Sequence, residues 1–206
     1  MKTRLISISV LSALFIAQVA YAGEGVSVVT DPAKLRNITD TGRSDSARVN
    51  DFIPQEDGTV IDKRTGLQWM RCALGQKWTG KTCTGQAKEY TYQQGQQAPE
   101  SFAGYNDWRV PTRFELETLV YCSSSKDNGR DNSTKQLPHY LKGCVGNYQR
   151  PTIVEQAFPN SPIWFWSASP FAHLESRAWS VEFDSGSDYS TGKDDLYSIR
   201  AVRNSQ

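Results

Sequence analysis

The sequence predicts an α+β domain of small mixed and antiparallel sheets with two helices, stiffened by disulfides. Three observations carry this reading. Short runs of alternating apolar and polar residues bounded by glycine-containing turns recur, above all in the last third of the chain. A Thr-x-x-Glu capping signal at Thr112 and Glu115 opens a helix with an i, i+3, i+4 apolar stripe at Leu116, Leu119 and Val120. Four cysteines follow an export signal, so they enter an oxidising compartment where an even count favours pairing.

The export signal comes first. Lys2 and Arg4 precede an apolar run from Leu5 to Val19, and Ala20-Tyr21-Ala22 ends it in the small-x-small pattern of a signal-peptidase site. Residues 1–22 therefore read as a signal peptide cut after Ala22. The run is shorter than the ~20 apolar residues of a membrane-spanning helix, and no later stretch approaches that length. The mature chain is expected to be exported, periplasmic or secreted, with no transmembrane segment. Residues 23–57 lack large apolar side chains in any sustained period and read as a flexible leader, which leaves 58–206 for the folded domain.

Composition narrows the function classes. The 206 residues carry 23 Lys and Arg against 22 Asp and Glu; losing Lys2 and Arg4 with the signal takes the basic count to 21 and the formal charge to −1. Such a balance gathers neither nucleic acid nor an acidic membrane surface. With 6 Trp, 9 Tyr and 8 Phe the chain suits a packed core, not a collagen, coiled coil or disordered chain. No Ser-His-Asp order, HExxH, P-loop or dinucleotide fingerprint appears, so no catalytic residue is assigned.

Within the domain, Thr59–Asp62 and Leu67–Met70 form a hairpin across Lys63-Arg64-Thr65-Gly66, with Leu67 and Trp69 inward and Gln68 outward. Cysteine pairing is formally threefold; Cys72 with Cys83 and Cys122 with Cys144 is favoured because each bridge closes a local loop. Zinc held by four thiolates is the competing reading, but no CxxC pair is present, and a catalytic thiol would have only His139 and His173 as bases. Gln86–Gln97 reads as a helix with Ala87, Tyr90 and Gln94 on one face. Pro111 extends the chain before Thr112, which sets Trp108 and Arg109 against the helix start, Arg109 in a structural role. Three strands follow at 164–169, 178–183 and 197–201.

The motifs Thr-Gly-Leu-Gln-Trp-Met-Arg-Cys (65–72), Trp-x-Gly-x-x-Cys-x-Gly (78–85), Asn-Asp-Trp-Arg-Val-Pro-Thr-x-x-Glu-Leu (106–116), Phe-Pro-Asn (158–160), Trp-Ser-Ala-Ser (166–169), Ala-Trp-Ser-Val-Glu-Phe (178–183) and Ile-Arg-Ala-Val-Arg (199–203) stand in one order. In them the chain resembles the Lcl C-terminal domain family, over about residues 58–204. These domains end certain bacterial collagen-like adhesins and also occur alone in exported proteins. The resemblance implies a C-type-lectin-like fold, distantly similar to formylglycine-generating enzymes. This chain lacks the Gly-x-y repeats of the adhesins, so their trimerisation is not carried over.

Loops on a rigid sheet are where binding groups usually sit, which makes the connections 170–177 and 184–195 the candidate site. The first offers Phe171, His173, Glu175 and Arg177, a mixture suited to a sugar or a peptide. The second offers Asp184, Asp188 and Tyr189; with Asp194 and Asp195 its carboxylates would suit calcium, although a solvated turn is the plainer reading and the sugar-binding tripeptides of calcium-dependent lectins are absent. No other cofactor is expected. The leading expectation is an exported module, not an enzyme, that recognises a glycan or a surface protein. Two others stand beside it: a structural component of the envelope that docks through 23–57, and an oxidase of the formylglycine-generating kind, which would need a reduced cysteine pair.

Overall fold

A computed structural model describes residues 47–124 and 143–205. The signal segment, the leader up to residue 46 and His139 lie outside these residues. No described helix is long and apolar enough to cross a membrane.

Order begins upstream of the expected Gly58 boundary. Strand β1 (Phe52–Pro54) pairs antiparallel with β2 (Thr59–Asp62), Ala47 is buried, and the Phe52 ring meets Phe158 edge-on at 5.2 Å. Two apolar anchors and a backbone ladder are enough to order this segment, which is why its polar composition concealed it. The predicted hairpin is present: β2 pairs with β3 (Leu67–Met70), Thr59 opposite Met70 and Asp62 opposite Leu67, with Gly66 supplying the positive φ of 69° that the turn requires. The alternation read for β3 is not. All four of its residues are buried, Gln68 included, because Arg203 covers Gln68 and donates Nη1–H to its Oε1 at 2.5 Å. That polar pair satisfies a buried amide that would otherwise cost stability.

Both disulfides join the expected partners, Cys72 with Cys83 and Cys122 with Cys144, and no cysteine is left free. The first clips the two-stranded ribbon β4 (Lys77–Trp78) and β5 (Cys83–Thr84), whose Trp78 ring lies 4.0 Å from the Arg71 guanidinium. Asn160 fastens the ribbon to the body by donating Nδ2–H to the Cys83 carbonyl at 2.8 Å.

The stretch expected to be helical from Gln86 is extended up to Tyr90. Strand β6 (Glu89–Tyr90) pairs with residues 197–198, and helix α1 (Tyr92–Gln96) starts only after Thr91, whose hydroxyl accepts from the Gln94 N–H. Helix α2 (Arg113–Glu117) starts where the capping signal placed it, but Leu119 and Val120 close it in a tighter turn, through bonds to the Leu116 and Glu117 carbonyls.

The Glu115 carboxylate is the hinge pin of this start. It accepts from Arg109 at 2.6 and 2.8 Å, from the Thr112 N–H at 2.7 Å and from the Thr112 hydroxyl at 3.0 Å. Burial pushes its pKa up, but the Arg109 guanidinium and the Thr112 donors outweigh burial and hold it below the ordinary carboxylate value. The carboxyl therefore binds its proton more weakly folded than unfolded. Its contribution is complete above the unfolded value of about 4.3 and disappears as pH falls through the lower native value. In acid titrations followed by circular dichroism, Glu115→Gln should flatten this part of the unfolding curve and lower stability by about 1–2 kcal/mol at neutral pH.

The last third departs most from expectation. Strand β7 (Trp164–Pro170) pairs with β8 (Arg177–Glu182) as predicted, but the supposed second loop contains another strand, β9 (Ser187–Gly192), in full antiparallel register with β8. Gly186 makes the turn between them, at φ 79° and with a β-carbon position only 2.6 Å from Val120 Cγ1, so no other residue fits. The expected strand 197–201 is two strands. β10 (Tyr197–Ser198) lies parallel to β7 on the side away from β8, and β11 (Val202–Asn204) pairs with β3 in the other sheet.

The result is a five-stranded mixed sheet in the order β6-β10-β7-β8-β9 and a four-stranded antiparallel sheet in the order β1-β2-β3-β11. Arg200 stands where the chain changes sheet. It is fully buried, donates to the Met70 and Arg71 carbonyls and to the Ser161 hydroxyl, and lies against Phe158 and Phe165; burial alone brings its pKa down to about 9. Between the sheets and α2 the core contains Val60, Trp69, Leu116, Leu119, Ile153, Phe165, Val181, Phe183 and Val202.

Candidate functional site

The connection 171–176 is a tight hairpin tip. Phe171 rests edge-on against Trp179 at 5.2 Å and against His173 at 5.5 Å, while His173 and Glu175 are exposed. Arg177 does not face outward as a free ligand contact. Its Nη1–H donates to the Ser190 carbonyl at 2.7 Å, across the outer edge of β9, where an unpaired strand is most exposed to unwanted pairing.

The four aspartates weighed as a calcium cage, against the plainer reading of a solvated turn, are not brought together. Asp184, in the β8–β9 turn, pairs with Arg150. Asp188 is buried on the inner face of β9, 3.4 Å from the Arg113 guanidinium. Asp194 and Asp195 follow the far end of β9, and four residues of strand already separate Asp188 from Gly192 by roughly 13 Å. Among the described residues, no group of three or more His, Cys, Asp or Glu is placed to hold a metal ion. Tyr189 points away from Asp188, to the opposite face. The predicted residues thus divide among the tip, the inner face and the outer face.

What the sheet does assemble is a row of aromatic rings on its outer face. Residues directly opposite in antiparallel strands share a face, so Trp166, Ser180 and Tyr189 lie together, and Ala178 pairs with Thr191 beside them. Across the strands, Tyr189 meets Trp164 at 5.3 Å, Trp164 stacks on Tyr197 at 5.0 Å with planes 16° apart, Tyr197 meets Trp166 at 4.8 Å, and Trp166 meets Tyr92 at 5.5 Å. The row changes character along its length. Trp166 is fully buried, roofed by α1 and donating its indole N–H to the Tyr90 carbonyl at 2.8 Å. Trp164, Tyr189 and Tyr197 remain partly exposed.

A polar margin runs along this exposed part. The partly exposed Thr191 hydroxyl lies 3.3 Å from that of Ser180, which is fully buried beneath it. The Asp195 carboxylate turns back to within 3.5 Å of the β-carbon position of Gly192, which shares its face with Arg177 opposite it in β8. Burial, with the Asp195 charge adding to it, pushes the Tyr197 phenol above its ordinary value against an opposing hydrogen bond from Thr191. Lys193 lies over the far end of the row, its ammonium 5.3 Å from the Tyr92 ring centroid.

A family model for the Lcl C-terminal domain matches residues 58–203. The chain belongs to the Lcl C-terminal domain family. No curated protein matches the sequence. In this Lcl C-terminal domain the motifs that carried the resemblance prove to be scaffold: Trp69 is buried, Trp78 lies beside Arg71, Arg109 pairs with Glu115, and Arg200 and Arg203 anchor the change of sheet. Trp164, Tyr189 and Tyr197 stand outside every one of those motifs. The signal that would have found them is the period of two linking Trp164 to Trp166 and Tyr189 to Thr191, but it becomes readable only once 187–192 is seen as a strand.

Proposed function

We propose that this Lcl C-terminal domain is an exported recognition module that binds glycan on the outer face of its five-stranded sheet. The observation that carries the reading is the partly exposed strip Trp164, Tyr189 and Tyr197, bordered by the partly exposed Thr191 hydroxyl. Sugars present apolar C–H surfaces between hydroxyl groups, and an aromatic surface edged with donors and acceptors complements both. Rigid strands hold these groups, so little ordering entropy opposes binding. The scaffold belongs, on the same reading, with C-type-lectin-like folds. The reading does not call on calcium: among the described residues no three His, Cys, Asp or Glu are gathered to hold a metal ion. With all four cysteines in bridges, the oxidase alternative lacks its thiol pair, which adds support to recognition.

The test is direct binding of the mature protein to a glycan panel. Trp164→Ala should weaken binding by about 30-fold, the loss typical of an aromatic at the centre of a contact surface, with the melting temperature nearly unchanged. Binding that survives this substitution would place the ligand elsewhere.

A further inference from the structure

The partly exposed rings cross the sheet instead of gathering around a hollow. Tyr197 belongs to β10, Trp164 to β7 and Tyr189 to β9, and in the order β10-β7-β8-β9 they span three strand spacings, about 14 Å. Between them β8 adds no ring, since its residue opposite Tyr189 is the small, buried Ser180. Trp164 is flanked from both sides, by Tyr197 at 5.0 Å with planes 16° apart and by Tyr189 at 5.3 Å. With a neighbour against each ring, a ligand meets the row along its exposed margin and not in a pocket. Beyond β10 the edge strand β6 sets the partly exposed Tyr90 directly opposite Tyr197 on the same face. The row thus runs from one edge strand to the other, and the sheet itself builds no wall at either end.

Resting on the reading of the strip as a glycan surface, we propose that it holds the interior of an extended β-1,4-linked sugar chain, one sugar to each ring, and does not read the chain's ends. The ring-to-ring distances of 5.0 and 5.3 Å are close to the advance of one sugar in such a chain, so successive sugars meet successive rings. An α-1,4-linked chain of the same sugar coils and leaves the row early. A single sugar touches one ring margin, too small a contact to offset the freedom lost on association; that cost is met once, and each further sugar adds contact without repeating it. Affinity therefore accumulates along the row, by about fivefold for each further ring engaged.

The experiment measures affinity against chain length on the mature protein, with cello- and chito-oligosaccharides from monosaccharide to hexaose and malto-oligosaccharides as the α-linked control. In the β-1,4 series that binds, affinity should rise about fivefold at each step to the trisaccharide, then gain only the small statistical factor of added registers. The malto series should show no such rise, and borohydride reduction of the hexaose's reducing end should leave its affinity unchanged. Tyr189→Ala removes the ring at one end of the row, on an edge strand, and should bring the plateau to the disaccharide, while Trp164→Ala weakens every length. A monosaccharide bound as tightly as the trisaccharide, maltotriose matching cellotriose, or a loss of about tenfold on end reduction would overturn the chain rule. If binding is still lost in Trp164→Ala, the glycan surface then stands without it. If neither β-1,4 series binds, this inference fails, and the glycan panel decides whether the surface reading fails with it.

Discussion

Reduction of both disulfides should unfold this domain or bring it to the edge of unfolding. The bridges close loops with sequence separations of 11 and 22 residues. The chain-entropy relation assigns about 3 kcal/mol to each, and their sum is comparable with the whole stability of a typical domain. The two losses should differ in kind. Without the Cys72–Cys83 bridge the β4–β5 ribbon keeps its Asn160 bonds and the body of the domain persists. The Cys122–Cys144 bridge lies against the β8–β9 turn: the Cys144 N–H donates to the Ser185 carbonyl at 2.7 Å, and Cys144 Sγ is 3.4 Å from the β-carbon position of Gly186. Its removal should cost stability and also loosen the strand that presents Tyr189. Urea unfolding of wild type and of each double Cys→Ser variant, with and without reductant, measures both effects; an unchanged midpoint on full reduction would contradict the account.

Arg113→Ala is expected to be the most damaging single substitution near the sheet. Arg113 is buried between Trp179 and Phe114, with its guanidinium carbon 4.2 and 4.5 Å from the ring centroids. It meets Glu117 at 3.1 Å and Asp188 at 3.4 Å, both themselves buried. Burying charge is costly, and deleting the shared cation leaves two carboxylates without it in a site of low dielectric, at about 3–5 kcal/mol. Arg113→Lys should recover only part of this, since an ammonium neither spans two carboxylates nor stacks flat between two rings. Equilibrium unfolding gives the comparison, and a loss below about 1 kcal/mol for the alanine variant would show the network to be incidental. Asp188, read from the sequence as a ligand residue, belongs to this network: its substitution should lower stability while the folded fraction keeps its glycan affinity, the reverse of Trp164→Ala.

What the sequence revealed was local. The hairpin over 59–70, the Thr112 cap and the two bridges depend on residues close in the chain, and each was legible from spacing alone. What it hid was decided at a distance. Glu89 and Tyr90 look helical beside Gln94, yet pairing with Tyr197 and Ser198 makes them a strand. Ser187–Gly192 looks like a solvated loop because its hydroxyls, glycine and aspartate lack apolar alternation; the strand forms because β8 offers a full ladder and Arg113 compensates Asp188 on the inner side. The aromatic row was lost with that strand, since it depends on four strands and one helix meeting on one face. The family motifs pointed to the scaffold for the same reason: packing constrains more residues than binding does.

The central claim is that ligand contact lies on the outer face of the five-stranded sheet and not at the 171–176 tip. Hydroxyl-radical footprinting with and without a bound glycan tests it most directly. The account predicts protection of Trp164, Tyr189 and Tyr197 with Phe171 and His173 unchanged; protection at Phe171, His173 and Phe114 with the outer rings unaffected would contradict it.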